Sequence, residues 1–138
     1  MAEDRAGDRN VPSTAGANAV DAFVREVGKL PLRHALEVRH DSFKDKRFYD
    51  LARKYNAAIV YAHDKDFPEI DEPTADFTYA RLMSSREDEP TGMTSAELDG
   101  IVDQTRGWAQ RGDVFAYFIA GAKVRNPAAA QALIKKLG

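Results

Sequence analysis

The chain of 138 residues has no cysteine. That removes disulfides, thiolate metal sites and a cysteine nucleophile together. It also fits a reducing compartment, for which the cytoplasm is the default expectation. No apolar run approaches the ~20 residues needed to span a bilayer. The charged stretch from Met1 to Asn10 lacks the apolar core of a signal peptide, so neither a membrane partner nor export is expected. A glycine-rich phosphate loop is absent, as is a Gly-x-Ser-x-Gly nucleophile elbow. Only three histidines are present, and no His-x-x-x-His or carboxylate–histidine spacing fixes two metal ligands on one element. No metal site and no cofactor is evident.

What is present is an ordinary globular composition: 43% hydrophobic, 30% charged, with a formal net charge of -2. One domain is expected, with a core that needs no staples. Residues 1–16 show no helical or strand periodicity and read as a disordered tail; the domain follows over residues 17–138. Val20, Phe23, Val24 and Val27 recur at helical spacing until Gly28 and Pro31, which predicts a first helix. A strand over residues 33–39 follows, then a helix over 45–55 with Phe48, Leu51, Ala52 and Tyr55 on one stripe. The continuous apolar run Ala57-Ala58-Ile59-Val60-Tyr61-Ala62 predicts a buried parallel strand. Residues 63–74 have loop composition, and Phe77 to Leu82 predicts a third strand.

Thr94 with Glu97 forms a capping-box signature, and the helix after it places Leu98, Ile101, Val102 and Trp108 on its buried side. Gly112 ends that helix, residues 114–119 predict a fourth strand, and Asn126-Pro127 predicts a cap and first turn for a last helix. The alternation of strands and helices implies a parallel sheet covered by helices, either an open sheet or part of a barrel. A complete eight-stranded barrel takes about 250 residues, so four strands amount to about half of one.

Three motifs carry a resemblance: Ala35-Leu36-Glu37-Val38-Arg39-His40 with Phe43; Thr74-Ala75-Asp76-Phe77-Thr78-Tyr79-Ala80-Arg81-Leu82; and Asp113-Val114-Phe115-Ala116-Tyr117-Phe118. In order and spacing they are similar to the carboxyl-terminal half of the YecE-like family, domain of unknown function 72, over about residues 20–138. The resemblance implies an α/β fold with parallel strands and flanking helices, partial TIM-barrel-like, about half a barrel. The family's opening Gly-Ser-Gly-Trp-like strand and its Asn-x-Thr-Phe-Tyr segment do not occur in this chain. His63-Asp64, Met83-Ser84 and Ile119-Ala120-Gly121 also depart from the family pattern, so the resemblance carries no family site to those positions.

In parallel α/β folds ligands lie at the carboxyl ends of strands, which here collects Glu37, Arg39, His40, His63, Asp64, Arg81 and Tyr117, with Lys123 and Arg125 on a nearby loop. Glu37 and Arg39 lie two apart and share one face; Leu36 and Val38 share the other. Two arginines suit a small anion, carboxylate or phosphate, because a guanidinium presents a rigid fork. Glu37 is then the candidate general acid or base. The structural alternative pairs Glu37 with Arg39 or Arg81 as internal ion pairs. His40 and His63 with Asp64, Asp66 or Glu69 make only a weak metal set. His34, Ser84 and Ser85 read as structural.

Two further functional classes stay open. Four parallel strands leave two edges, so the chain can be a non-catalytic interaction module or a shortened barrel enzyme, closed by a second copy or by a separately encoded front half. A nucleic-acid activity ranks third: residues 64–72 carry five acids against Lys65, and residues 86–89 carry three against Arg86, the opposite of a phosphate-binding surface.

Overall fold

The computed structural model describes residues 26, 27 and 30–138, with side chains from residue 32 onward. The chain divides into two units, Met1–Arg33 and His34–Gly138. In the first, β1 (Glu26–Val27) and β2 (Leu30–Pro31) pair antiparallel, with Val27 opposite Leu30. This corrects the helix expected to run through Val27. A glycine set between aliphatic residues signals a hairpin as readily as a helix stop. Val20, Phe23 and Val24, and the tail expected over residues 1–16, lie outside the described residues.

The second unit runs β3 (Ala35–Leu36), α1 (Lys46–Lys54), β4 (Ala58–Ile59), β5 (Tyr61–His63), β6 (Phe77–Leu82), α2 (Ser95–Ala109), β7 (Asp113–Phe118) and α3 (Asn126–Leu137). All its strand pairs are parallel: β3 with β4, β5 with β6, and β6 with β7 in full six-residue register. β4 and β5 are successive parts of one run, residues 58–63, which turns its first half to β3 and its second half to β6. The strand expected over residues 33–39 is shorter than its sequence suggests. Beyond Leu36, whose carbonyl accepts from Val60 N at 2.9 Å, the chain leaves the sheet and turns into a 3-10 helix at Asp41–Phe43.

The helices start where their side chains satisfy free backbone donors. Asp45 caps α1 by accepting from Arg47 N at 2.7 Å. α2 opens with a complete capping box: Glu97 N donates to Thr94 Oγ1 at 3.2 Å, and Thr94 N donates to Glu97 Oε2 at 2.9 Å. α3 departs from expectation. It begins at Asn126 with Pro127 in its first turn, and its cap is Arg125, which makes no side-chain capping bond. Asn126 instead ties two loops together, donating from Nδ2 to the Ala120 carbonyl at 2.9 Å and accepting from Ser85 Oγ at 2.6 Å. Gly112 is required where it stands. Its φ is +149°, and a Cβ there would lie 2.0 Å from the Asp76 carbonyl oxygen.

The larger core gathers Tyr61, Ala80, Leu82, Met93, Leu98, Ile101, Val102, Trp108 and Leu133, with Val114, Ala116 and Phe118 packed against it. A smaller one joins Ala52 of α1 to Ala57, Ile59 and Ile70. Ile59 and Tyr61 lie two apart on one run and therefore face the same way, so α1, α2 and α3 all cover one side of the strands. A doubly wound sheet would need helices on both sides. One-sided cover, with strands in chain order, is the arrangement of consecutive units of a parallel barrel.

The long loop between β5 and β6 is pinned where a helix would otherwise stand. Trp108 Nε1 and Gln104 Nε2 donate to the two Asp71 oxygens at 2.9 and 3.1 Å, and Tyr61 donates to Glu69. Burial, together with the bond to Glu69, holds the Tyr61 hydroxyl well above its ordinary pKa. Buried Thr74 completes the backbone of the neighbouring strand, accepting from Ile59 N at 3.2 Å and donating to the Ala57 carbonyl at 2.7 Å.

Candidate functional site

Strand alternation turns Phe77, Tyr79 and Arg81 of β6, and Phe115 and Tyr117 of β7, to the side away from the helices. The same rule places Ala62 on that side, because it is the register partner of Arg81. The single run 58–63 separates β3 from β6, by roughly twice the 4.8 Å strand spacing. The small Ala62 leaves room above the intervening run for Glu37 and Arg81 to meet.

Glu37 accepts from both arginines. Arg81 Nη1 donates to Oε1, while Arg39 Nε and Nη2 donate to Oε2 at 3.0 and 2.6 Å. Burial pushes the Glu37 carboxyl up, but the bonds from Arg81 and Arg39 outweigh it and leave the group below its ordinary value. Glu37 is therefore an anion at neutral pH. As a general acid it has no proton to give there, and as a base it is weakened. The cluster of two guanidinium ions and one carboxylate carries a net single positive charge. The Arg39 side chain is 60% exposed, against 23% for Arg81 and 18% for Glu37. The Arg39 guanidinium also lies 4.5 Å over the Phe67 ring, a cation–π contact.

The remaining candidates have local tasks. His40 Nδ1 accepts from Ser42 N at 3.1 Å and lies 2.8 Å from Ser42 Oγ, capping the 3-10 turn. Asp64 Oδ1 accepts from Asp66 N at 2.7 Å. His63 ends β5, stacks on Tyr61 at 6.4 Å and has a buried Nδ1 with no hydrogen-bond partner. Its carbonyl accepts from Met83 N and Ser84 Oγ. Buried Ser85 bonds to Ala122 and Asn126, and Arg125 Nε donates to the Glu87 carbonyl at 2.8 Å. Tyr117 is the register partner of Arg81. Among the described residues no three His, Asp or Glu side chains are grouped as a metal site.

The structure therefore brings Glu37, Arg39, Arg81 and Tyr117 to one place, and gives His40, Asp64 and His63 separate surroundings. Phe67, Tyr79 and Ala62 belong to this place and were missed in the sequence. Tyr79 had a signal, because it stands two residues before Arg81 on the same strand face. Phe67 is an aromatic residue in an otherwise acidic loop.

Parallel strands in chain order with helices along one side define a partial TIM-barrel-like α/β protein. The family described as protein of unknown function DUF72 matches residues 10–138, and the chain belongs to that family. Two solved structures share the fold. A DUF72 family protein from Thermotoga maritima has a TM-score of 0.57 at 18% identity, covering 91% of this chain and 52% of that one. Another from Enterococcus faecalis has a TM-score of 0.67 at 14% identity, covering 96% of this chain and 56% of that one. The chain thus spans about half the length of the structures it matches. No curated protein matches it. Among the described residues no helix is long and apolar enough to cross a membrane.

Proposed function

We propose that the chain binds a small anion, carboxylate or phosphate, at the carboxyl ends of its strands. The observation that carries this reading is the convergence of Arg39 and Arg81 on one carboxylate. Glu37 holds both forks in position yet neutralises only one of them, which leaves donors and a net positive charge for a second anion. Its role is to position the arginines, and Arg39, being the more exposed, is the arm that closes on the ligand.

Isothermal titration with inorganic phosphate or acetate tests the reading. The unaltered chain is expected to bind, and Arg81→Leu or Arg39→Leu to weaken binding by about tenfold or more, the worth of a charge-assisted hydrogen bond. Glu37→Gln is the sharper variant. An anion receptor gains a charge and binds more tightly, whereas a purely structural ion pair only loses stability. Unchanged affinity in both arginine variants sinks the proposal.

A second reading rests on length. The chain spans about half of the structures it matches, and β7 lies at the end of its sheet, paired on one side among the described residues. An interaction module that closes with a second copy, or with a separately encoded front half, would cover that edge. Light scattering during size-exclusion chromatography distinguishes a discrete dimer, which supports self-closure, from a monomer, which removes it.

A further inference from the structure

Arg81 and Tyr117 are direct partners across the β6–β7 pair, so the guanidinium and the phenol ring leave the same side of the sheet about 4.8 Å apart at their backbones. Tyr79, two residues before Arg81, leans its ring against Tyr117 with centroids 5.2 Å apart and planes tilted by 36°. That contact covers part of Tyr117, and the residue remains 46% exposed. On the other flank of the cationic cluster Arg39 lies against Phe67. Aromatic rings thus stand on two sides of the charge, and much of Tyr117 stays exposed.

A bare inorganic anion makes no use of such a ring. Water solvates exposed aromatic surface such as that of Tyr117 poorly, and a flat apolar group laid there would remove that surface from water while adding an offset-stacked pair. We infer that the ligand is an aryl anion: a flat aromatic ring bearing a carboxylate or phosphate, with its anionic group on Arg81 and Arg39 and its ring on Tyr117. This rests on the anion-receptor reading above and narrows its ligand class.

The test compares phenyl phosphate with inorganic phosphate, by titration at one ionic strength, on the unaltered chain and on Tyr117→Ala and Tyr117→Phe. Phenyl phosphate is expected to bind the unaltered chain about tenfold more tightly, the worth of a good ring pair with its buried surface. Tyr117→Ala should bring the two ligands level, and Tyr117→Phe should keep the difference because the ring is retained. If inorganic phosphate binds and phenyl phosphate gains nothing, or the gain survives Tyr117→Ala, the aryl inference is overturned and the anion site stands. If neither ligand binds, both fall. Even where a variant folds poorly, the absence of any gain for phenyl phosphate on the unaltered chain overturns the aryl inference.

Discussion

The region β3–α1–β4 and the region β6–α2–β7–α3 are built from the same kind of unit at different strengths. The first has two-residue strands and a small core around Ala52, Ala57, Ile59 and Ile70. Both regions leave some large apolar side chains exposed, Leu36, Leu51 and Tyr55 in the first and Tyr117, Ile119, Val124 and Ile134 in the second, so the difference lies in the cores. The second pairs strands of six residues and fully buries Trp108, Leu82, Met93 and Leu98. Because stability follows the apolar area removed from water, the second region holds the fold and the first is carried by it. The candidate site straddles the two. Arg81 and Tyr117 stand on the firm region, whereas Glu37 and Arg39 stand where the chain has just left a short strand.

The largest expected effect comes from breaking the firm side. Trp108→Ala removes the largest fully buried side chain and its bond to Asp71, and should cost about 3–5 kcal/mol in denaturant unfolding. A loss below about 1 kcal/mol, the size of an average substitution, would mean that the second region does not hold the fold.

Thr74→Val probes the lighter side. It strips two hydrogen bonds from the buried backbone beside β4, for about 1–3 kcal/mol. Hydrogen exchange should show protection lost at residues 57–60 while residues 113–118 keep theirs. Equal loss in both places would erase the contrast between the regions.

Acid should sharpen the contrast further. Arg47, by its side chain and then its backbone N–H, holds Asp45 down at about 2. Arg86, followed by the Thr94 backbone, holds Glu97 at about 2. Ordinary values are 3.8 and 4.5. Depressed carboxylates stabilise the fold above their unfolded values, and that stability drains away as pH falls from about 4 toward 2. Glu37 shifts in the same direction. The thermal midpoint should therefore drop across this window, with α1 losing helicity first because it has nine residues against fifteen in α2. Helix-resolved NMR through an acid titration reads the order, and simultaneous loss contradicts it.

The smallest effect is expected at Leu51, 55% exposed on α1. Leu51→Ser should stay within about 0.5 kcal/mol of the unaltered chain in a thermal melt. A larger change would show that something covers this face in solution.

The parts of the fold legible in the sequence were those in which several local signals agreed. Thr94 and Glu97 bracket a helix start whose buried stripe follows at once, and Phe77 to Leu82 is both aromatic and β-branched. Glu26 and Val27 were misread because four valine and phenylalanine positions suit a helix and Gly28 suits two endings. Asn126 was misread as a cap because its side chain is spent on Ala120 across the preceding loop and on Ser85, a residue distant in sequence. Alternation alone placed Glu37 and Arg39 on one face, and the rule that ligands lie at the carboxyl ends of parallel strands collected Arg81 with them. The contribution of Phe67 depends on how a twelve-residue acidic loop folds back, which no local pattern encodes.

The run 58–63 changes partner midway, and this gives the sheet a stagger. Continuing the β3–β4 register by one residue sets Glu37 level with Val60, whereas Arg81 is level with Ala62. Two residues of strand amount to about 6.6 Å of rise. Arg81 must therefore reach back down the slope as well as across it, and a shorter cation of the same charge would fall short. In a staggered sheet the length of the side chain, and not its charge alone, decides which residue can occupy that position.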